Sequence, residues 1–142
     1  MANRVEKMVD VLRQWQEIER QAMTATAQIT ERTESTLIRL IMEIIRVDSH
    51  MHHRVQQFLI DSVTQESTVV TREDIAAIWE SIEEHDRSEK KAIQLAEQLK
   101  KDAWTPVHKL LLDHLLRSET LHDRLLEQLD DLKVDLTRAS GA

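Results

Sequence analysis

The chain has no cysteine and no tyrosine, and only one glycine and one proline among 142 residues. Without cysteine there is no disulfide, thiolate zinc site, iron–sulfur cluster or thiol nucleophile, and a rubredoxin-type iron centre is excluded. Without tyrosine no tyrosyl radical can form. So few turn-forming residues leave long helices as the only economical architecture. A basic surplus is missing as well: 19 Lys and Arg stand against 26 Asp and Glu, a net charge of -7. That balance argues against a nucleic-acid partner, which needs a basic face. No apolar run approaches the length of about 20 residues that spans a membrane, and MANRVEKMVD lacks the pattern of a secretory leader. A cytoplasmic protein without membrane or nucleic-acid partners is the expectation.

What the chain does have is helical period. With 41% hydrophobic and 32% charged residues it reads as one domain, 1–142, long enough to bury a core. Val5, Met8, Leu12, Trp15, Ile18/Glu19, Ala22, Thr26 and Ile29 recur at three- and four-residue steps, predicting a first helix from about Asn3 to about Thr30. After the polar break TERTES, Ser35 is placed to cap a second helix over Thr36–Ser62, with Ile38, Ile41, Ile45, Ser49, His52, Val55 and Leu59 on its stripe. VTQESTVVT is the one long connection and reads as extended. Thr71 and Asp74 form a box-like start for a third helix over Arg72–Asp102. Its stripe is Ile75, Ile78, Ile82, His85, Glu89, Ala92/Ile93, Ala96 and Leu99. Thr105 followed by Pro106 opens a fourth helix, with Leu111, Leu115, Leu125, Leu129 and Leu136 on its stripe and a frayed tail from Thr137.

The two helix pairs, 3–62 and 72–138, are copies. A shift of seventy residues lays Glu19 on Glu89, Ala22 on Ala92, Leu40 on Leu110 and His52 on His122. It also lays Arg20 on Lys90, Arg54 on Arg124, Leu59 on Leu129 and Asp61 on Asp131. The duplication therefore carries polar residues on the stripes as well as apolar ones. Glu119 and His122, in RSETLH, stand three apart and side by side on the fourth stripe. His85 and Glu89 are one turn apart on the third. A lone buried charge costs several kcal/mol unless it is paired or holds a metal. Glu19, His52, His85, Glu89, Glu119 and His122 are thus candidate metal ligands at one level, a donor set suited to iron, manganese, zinc or nickel. His50 and His53 lie off the stripe; Asp48, at its edge, is a candidate second acceptor.

This register resembles the ferritin-like superfamily, in particular small rubrerythrin-like di-metal carboxylate bundles. Such proteins take one Glu from each of two helices and a Glu-x-x-His from each of the other two. Glu19 and Glu89 match the single glutamates, Glu119 with His122 (ETLH) matches one pair, and His52 matches the histidine of the other. Ser49 stands where the remaining glutamate belongs, in SHMH. The resemblance implies an all-α, antiparallel four-helix bundle with a crossover between its second and third helices. It implies a di-iron or di-manganese site, oxidase- or peroxidase-type chemistry and a dimer or other homo-oligomer. Three glutamates leave two divalent ions with a surplus of +1, where four would neutralise them, so the site reads as incomplete. The competing reading is a metal-free or structurally metallated interaction module whose acidic outer faces bind a partner or a second copy of the chain.

Overall fold

The computed structural model describes residues 3–65 and 71–140, without the side chains of 137–140. The described residues form five helices and no strand: α1 (Asn3–Arg32), α2 (Thr36–Thr64), α3 (Arg72–Ala76), α4 (Trp79–Lys101) and α5 (Pro106–Ser140). The all-α expectation holds. Among the described residues no helix is long and apolar enough to cross a membrane.

Local chemistry sets the helix starts. The Ser35 hydroxyl accepts from the Ile38 N–H at 3.3 Å, satisfying one of the free donors of the first turn of α2. The loop before it turns without glycine because Arg39 Nε donates to the Thr33 carbonyl and the Ser35 N–H donates to Thr33 Oγ1. Thr71 and Asp74 bond reciprocally, side chain to backbone, at 3.1 and 3.0 Å, a full capping box for α3. Thr105 Oγ1 accepts from the His108 N–H at 3.1 Å, with Pro106 as the first residue of α5.

Three boundaries differ from expectation. The third helix is broken at Ala77–Ile78, where Ile78 donates to the Ile75 carbonyl in a tightened turn. That break lets the short α3 pack on both α4 and α5 with Ile75 buried. α2 runs on to Thr64, so Val63 and Thr64 of the expected connection are helical. The last helix continues to Ser140 instead of fraying at Thr137. The expected extended run survives at Gln65 and Thr71; residues 66–70, and with them the crossover, lie outside the described residues.

The chain divides into two compact units, Met1–Val69 and Val70–Ala142, each holding one copy of the repeated pair. In the first, α2 folds back along α1. The seam buries Leu12, Gln16, Glu19 and Thr26 on α1 against Ser49, Gln56 and Ile60 on α2. Gln16 Nε2 donates across it to the His53 carbonyl at 3.3 Å and to Gln57 Oε1 at 3.1 Å. In the second, α5 folds back along α4, with Lys100–Asp113 near the loop (3.0 Å) and Lys90–Asp123 (3.6 Å) further along. Glu89 and Ala96 are buried on α4.

The seams do not follow the middle of the expected stripes. Leu12, Glu19, Thr26 and Ser49 are buried as expected, but Trp15, Val55, Leu115 and Leu125 are each about half exposed. Two helices in contact cover only a narrow strip of each other. Here that strip is one edge of the apolar sector, and the rest of the sector stays uncovered within the pair.

Candidate metal centre

In the second unit the seam delivers Glu89 from α4 and Glu119 and His122 from α5. Their ligand atoms all lie within 4.8 Å of one another. His122 Nδ1 is 3.4 Å from Glu89 Oε1 and 3.8 Å from Glu119 Oε2. His85 Nε2, one turn before Glu89, is 2.8 Å from the same Glu89 Oε1. The Glu89 side chain is 8% exposed, whereas both histidines are more than half exposed, so the cluster is rooted in the seam and opens outward.

The donor types are ones that could hold a divalent ion. Ligands about 2.1 Å from a metal stand no more than about 4.2 Å apart; both His122 distances are inside that limit, while the cluster as a whole spans up to 4.8 Å. Two carboxylates cancel a 2+ charge, and Glu89 Oε2 is buried without a hydrogen-bond partner. An orphaned buried carboxylate oxygen is costly unless something cationic meets it.

Electrostatics agree that the carboxylates crowd each other. The neighbouring Glu119 carboxyl holds Glu89 below the ordinary glutamate range, helped by the charges of His122 and His85. Glu119 is pushed up by its hydrogen bond with Glu89, then by burial and by the Glu89 charge. As pH falls, Glu119 therefore takes up a proton before Glu89 does, and a cation at the site would oppose that uptake.

In the first unit the structure brings Glu19 and His52 together, Nδ1 to Oε2 at 3.5 Å, with Glu19 buried and His52 well exposed. Glu19 Oε2, like Glu89 Oε2, has no hydrogen-bond partner. Ser49 is buried at the position repeated by Glu119. His50 and Asp48 are exposed. His53, expected off the stripe, reaches the seam through its backbone carbonyl, which accepts from Gln16. Each unit therefore assembles its own share of the six expected ligands: two in the first, four in the second.

One polar set escaped the sequence reading. Asp86 and Asp123 meet across the second seam, with Lys90 Nζ 2.6 Å from Asp86 Oδ2 and 3.6 Å from Asp123 Oδ1. Asp86 is lowered by its hydrogen bond with Asp123 and then by Lys90; Asp123 is raised by that bond, by burial and by the Asp86 charge. The seventy-residue shift carried the signal, laying Gln16 on Asp86 and His53 on Asp123. Both copies place polar groups on the seam one turn from the glutamate.

The sign of the pH effect follows. A carboxyl raised in the fold, such as Asp123, contributes stability below the ordinary carboxylate range and loses it as pH rises through its own raised value. Asp86, lowered, contributes above that range and loses it as pH falls. Asp123→Asn keeps a donor towards Asp86 and removes the charge that rising pH exposes. It should stabilise the metal-free protein near neutral pH by about 1 kcal/mol and flatten the decline that begins as pH rises above the ordinary carboxylate range. Urea unfolding at several pH values measures both; a variant with the wild-type pH slope would show that this pair shares no proton.

Comparisons with family models, with curated proteins and with solved structures found no match to this chain.

Proposed function

We propose that the chain is a ferritin-like metal-binding protein whose two helix pairs close into a four-helix bundle around a carboxylate–histidine centre. The observation that carries the reading is Glu89: a buried carboxylate with one oxygen unpartnered, beside Glu119 and His122 at ligand-like separations. The apolar sectors left uncovered within each pair support a bundle, since four helices cover two edges of every helix where a pair covers one. Glu89, Glu119 and His122 hold the first ion, with His85 as fourth donor. Glu19 and His52 carry half of the matching set, and Ser49 leaves it short of a carboxylate. Iron or manganese fits these donors, and zinc fits them structurally. When bound, iron or manganese would supply redox chemistry towards oxygen or peroxide.

The test separates position from chemistry. His122→Ala should lower the metal retained after equilibrium dialysis against iron(II), manganese or zinc at least about tenfold. His53→Ala should leave it unchanged, because that side chain touches none of the carboxylates concerned. Equal retention in the two variants would reject the site. Ser49 and the many exposed apolar side chains favour a second reading, a metal-free interaction module; failure of the wild type to bind any of the three metals would leave that reading standing.

A further inference from the structure

The seam of the first unit buries two oxygens that have no hydrogen-bond partner, Glu19 Oε2 and Gln56 Oε1. Their residues are only 7 and 3% exposed. Both atoms are acceptors, so neither can satisfy the other. The neighbouring amide donors are engaged elsewhere. Gln16 Nε2 donates to the His53 carbonyl and to Gln57 Oε1, and Gln57 Nε2 donates to Asp61 Oδ1. Helix geometry turns the two unpartnered oxygens towards one gap. Gln16 meets residues 53 and 57 while Glu19 meets His52, so the helices run oppositely and Gln56 lies across from Gln16. A helical side chain leans towards the N-terminus of its own helix. Glu19 therefore leans to the level of Gln16 and Gln56, and Gln56 leans to the level of His52 and Glu19. Two acceptors sharing a buried gap are costly alone and are stabilised by a cation between them.

We infer that Gln56 completes an ion site in the first unit, its amide oxygen joining Glu19 and His52 as third ligand of a divalent cation such as manganese. The inference rests on the metal-binding reading above and supplies the oxygen donor that Ser49 does not. His52 Nδ1 and Glu19 Oε2 are 3.5 Å apart, inside the limit of about 4.2 Å for two ligands of one ion. Gln56 lies four residues after His52, whereas Glu119 lies three before His122. Each copy thus adds one oxygen donor to its Glu and His pair, on opposite sides of the histidine. The shift of seventy lays Gln56 on Leu126 and Ser49 on Glu119, so neither copy has both. The two sites differ in kind as a result. A carboxylate, an amide carbonyl and an imidazole suit manganese. A single carboxylate leaves +1 on a divalent ion, where Glu89 with Glu119 leaves none, and affinity follows the charge of the ligand set. The first unit therefore fills only at metal concentrations above those that fill the second.

Manganese(II) titration of the full chain, read from the electron paramagnetic resonance of the free ion, should show two binding steps at least about tenfold apart. His122→Ala should remove the tighter step and keep the weaker one. Gln56→Leu installs the residue that the second copy carries at Leu126, so the fold has a precedent for it. It should weaken the weaker step at least about tenfold and leave the tighter step unchanged. Gln56→Glu adds the charge that the first unit lacks and should tighten the weaker step by a similar factor. If Gln56 only donates its amide hydrogen to Glu19, Gln56→Glu sets two carboxylates against each other and tightens nothing, which overturns the inference. A weaker step unmoved by Gln56→Leu, or absent from the wild type, overturns it as well. A tighter step that survives His122→Ala rejects the second unit's centre, while the response of the weaker step to Gln56→Leu still decides the inference on its own.

Discussion

Glu89→Gln is expected to abolish stabilisation by metal while costing the metal-free protein only about 1 kcal/mol near neutral pH. The two effects differ in size because one carboxylate serves both. Without metal, Glu89 is a buried carboxylate whose Oε2 has no partner, yet Glu119, His122 and His85 favour its ionised form. Glutamine keeps the volume and the contact with His85 and gives up that favourable ionisation, so the small loss should fade as pH falls towards the ordinary carboxylate range. With metal, the lost charge is that of the ligand shared by α4 and both histidines. At a metal concentration of about 100 times Kd, the wild type gains about 2.7 kcal/mol. A hundredfold weaker site at the same concentration keeps only about 0.4 kcal/mol of that. The readout is the melting temperature with chelator and with zinc or manganese. If Glu89→Gln keeps the wild-type metal-dependent rise, the ion sits elsewhere. If it melts far below wild type in chelator, the carboxylate was a structural partner and not a vacant ligand.

How much of this was legible in the sequence depends on the range of the interaction concerned. The caps at Ser35, Thr71 and Thr105 were legible because each is closed within four residues. The pairing of Glu119 with His122 was legible for the same reason, and the seventy-residue repeat then pointed to Glu89, Glu19 and His52. The seams were not. Periodicity fixes the direction of an apolar sector to within about a third of a turn, but not which of its edges meets the neighbouring helix. Trp15, Leu115 and Leu125 were therefore placed in a core and are half exposed, while Gln16, Gln56 and Asp86 occupy the contact. A polar seam is invisible to a search for apolar period. The break at Ala77–Ile78 had no marker either, since neither glycine nor proline is there; it follows from burying Ile75 against two helices at once.

The asymmetry between the copies leads to the sharpest substitution. The second unit carries two carboxylates and two histidines; the first has Glu19, His52 and a buried serine. Ser49→Glu would give the first unit the carboxylate that the second has at Glu119. That residue shows that this place in a seam admits a glutamate, since it sits 29% exposed between Glu89 and solvent. Without metal, the added carboxylate meets Glu19 on a seam now filled by a serine that is 7% exposed. Crowding and like charge should together cost about 1–3 kcal/mol. With metal, the surplus charge of +1 on two divalent ions falls to zero, and the first unit gains the Glu-x-x-His spacing of the second. Metal stoichiometry should then rise, and the melting temperature with iron or manganese should exceed that of the wild type under the same conditions. The order of the two proteins therefore reverses between chelator and metal, which a simple packing defect cannot produce. Should Ser49→Glu bind no additional metal and melt lower under both conditions, Ser49 is a packed seam residue and the first unit was never half of a metal site.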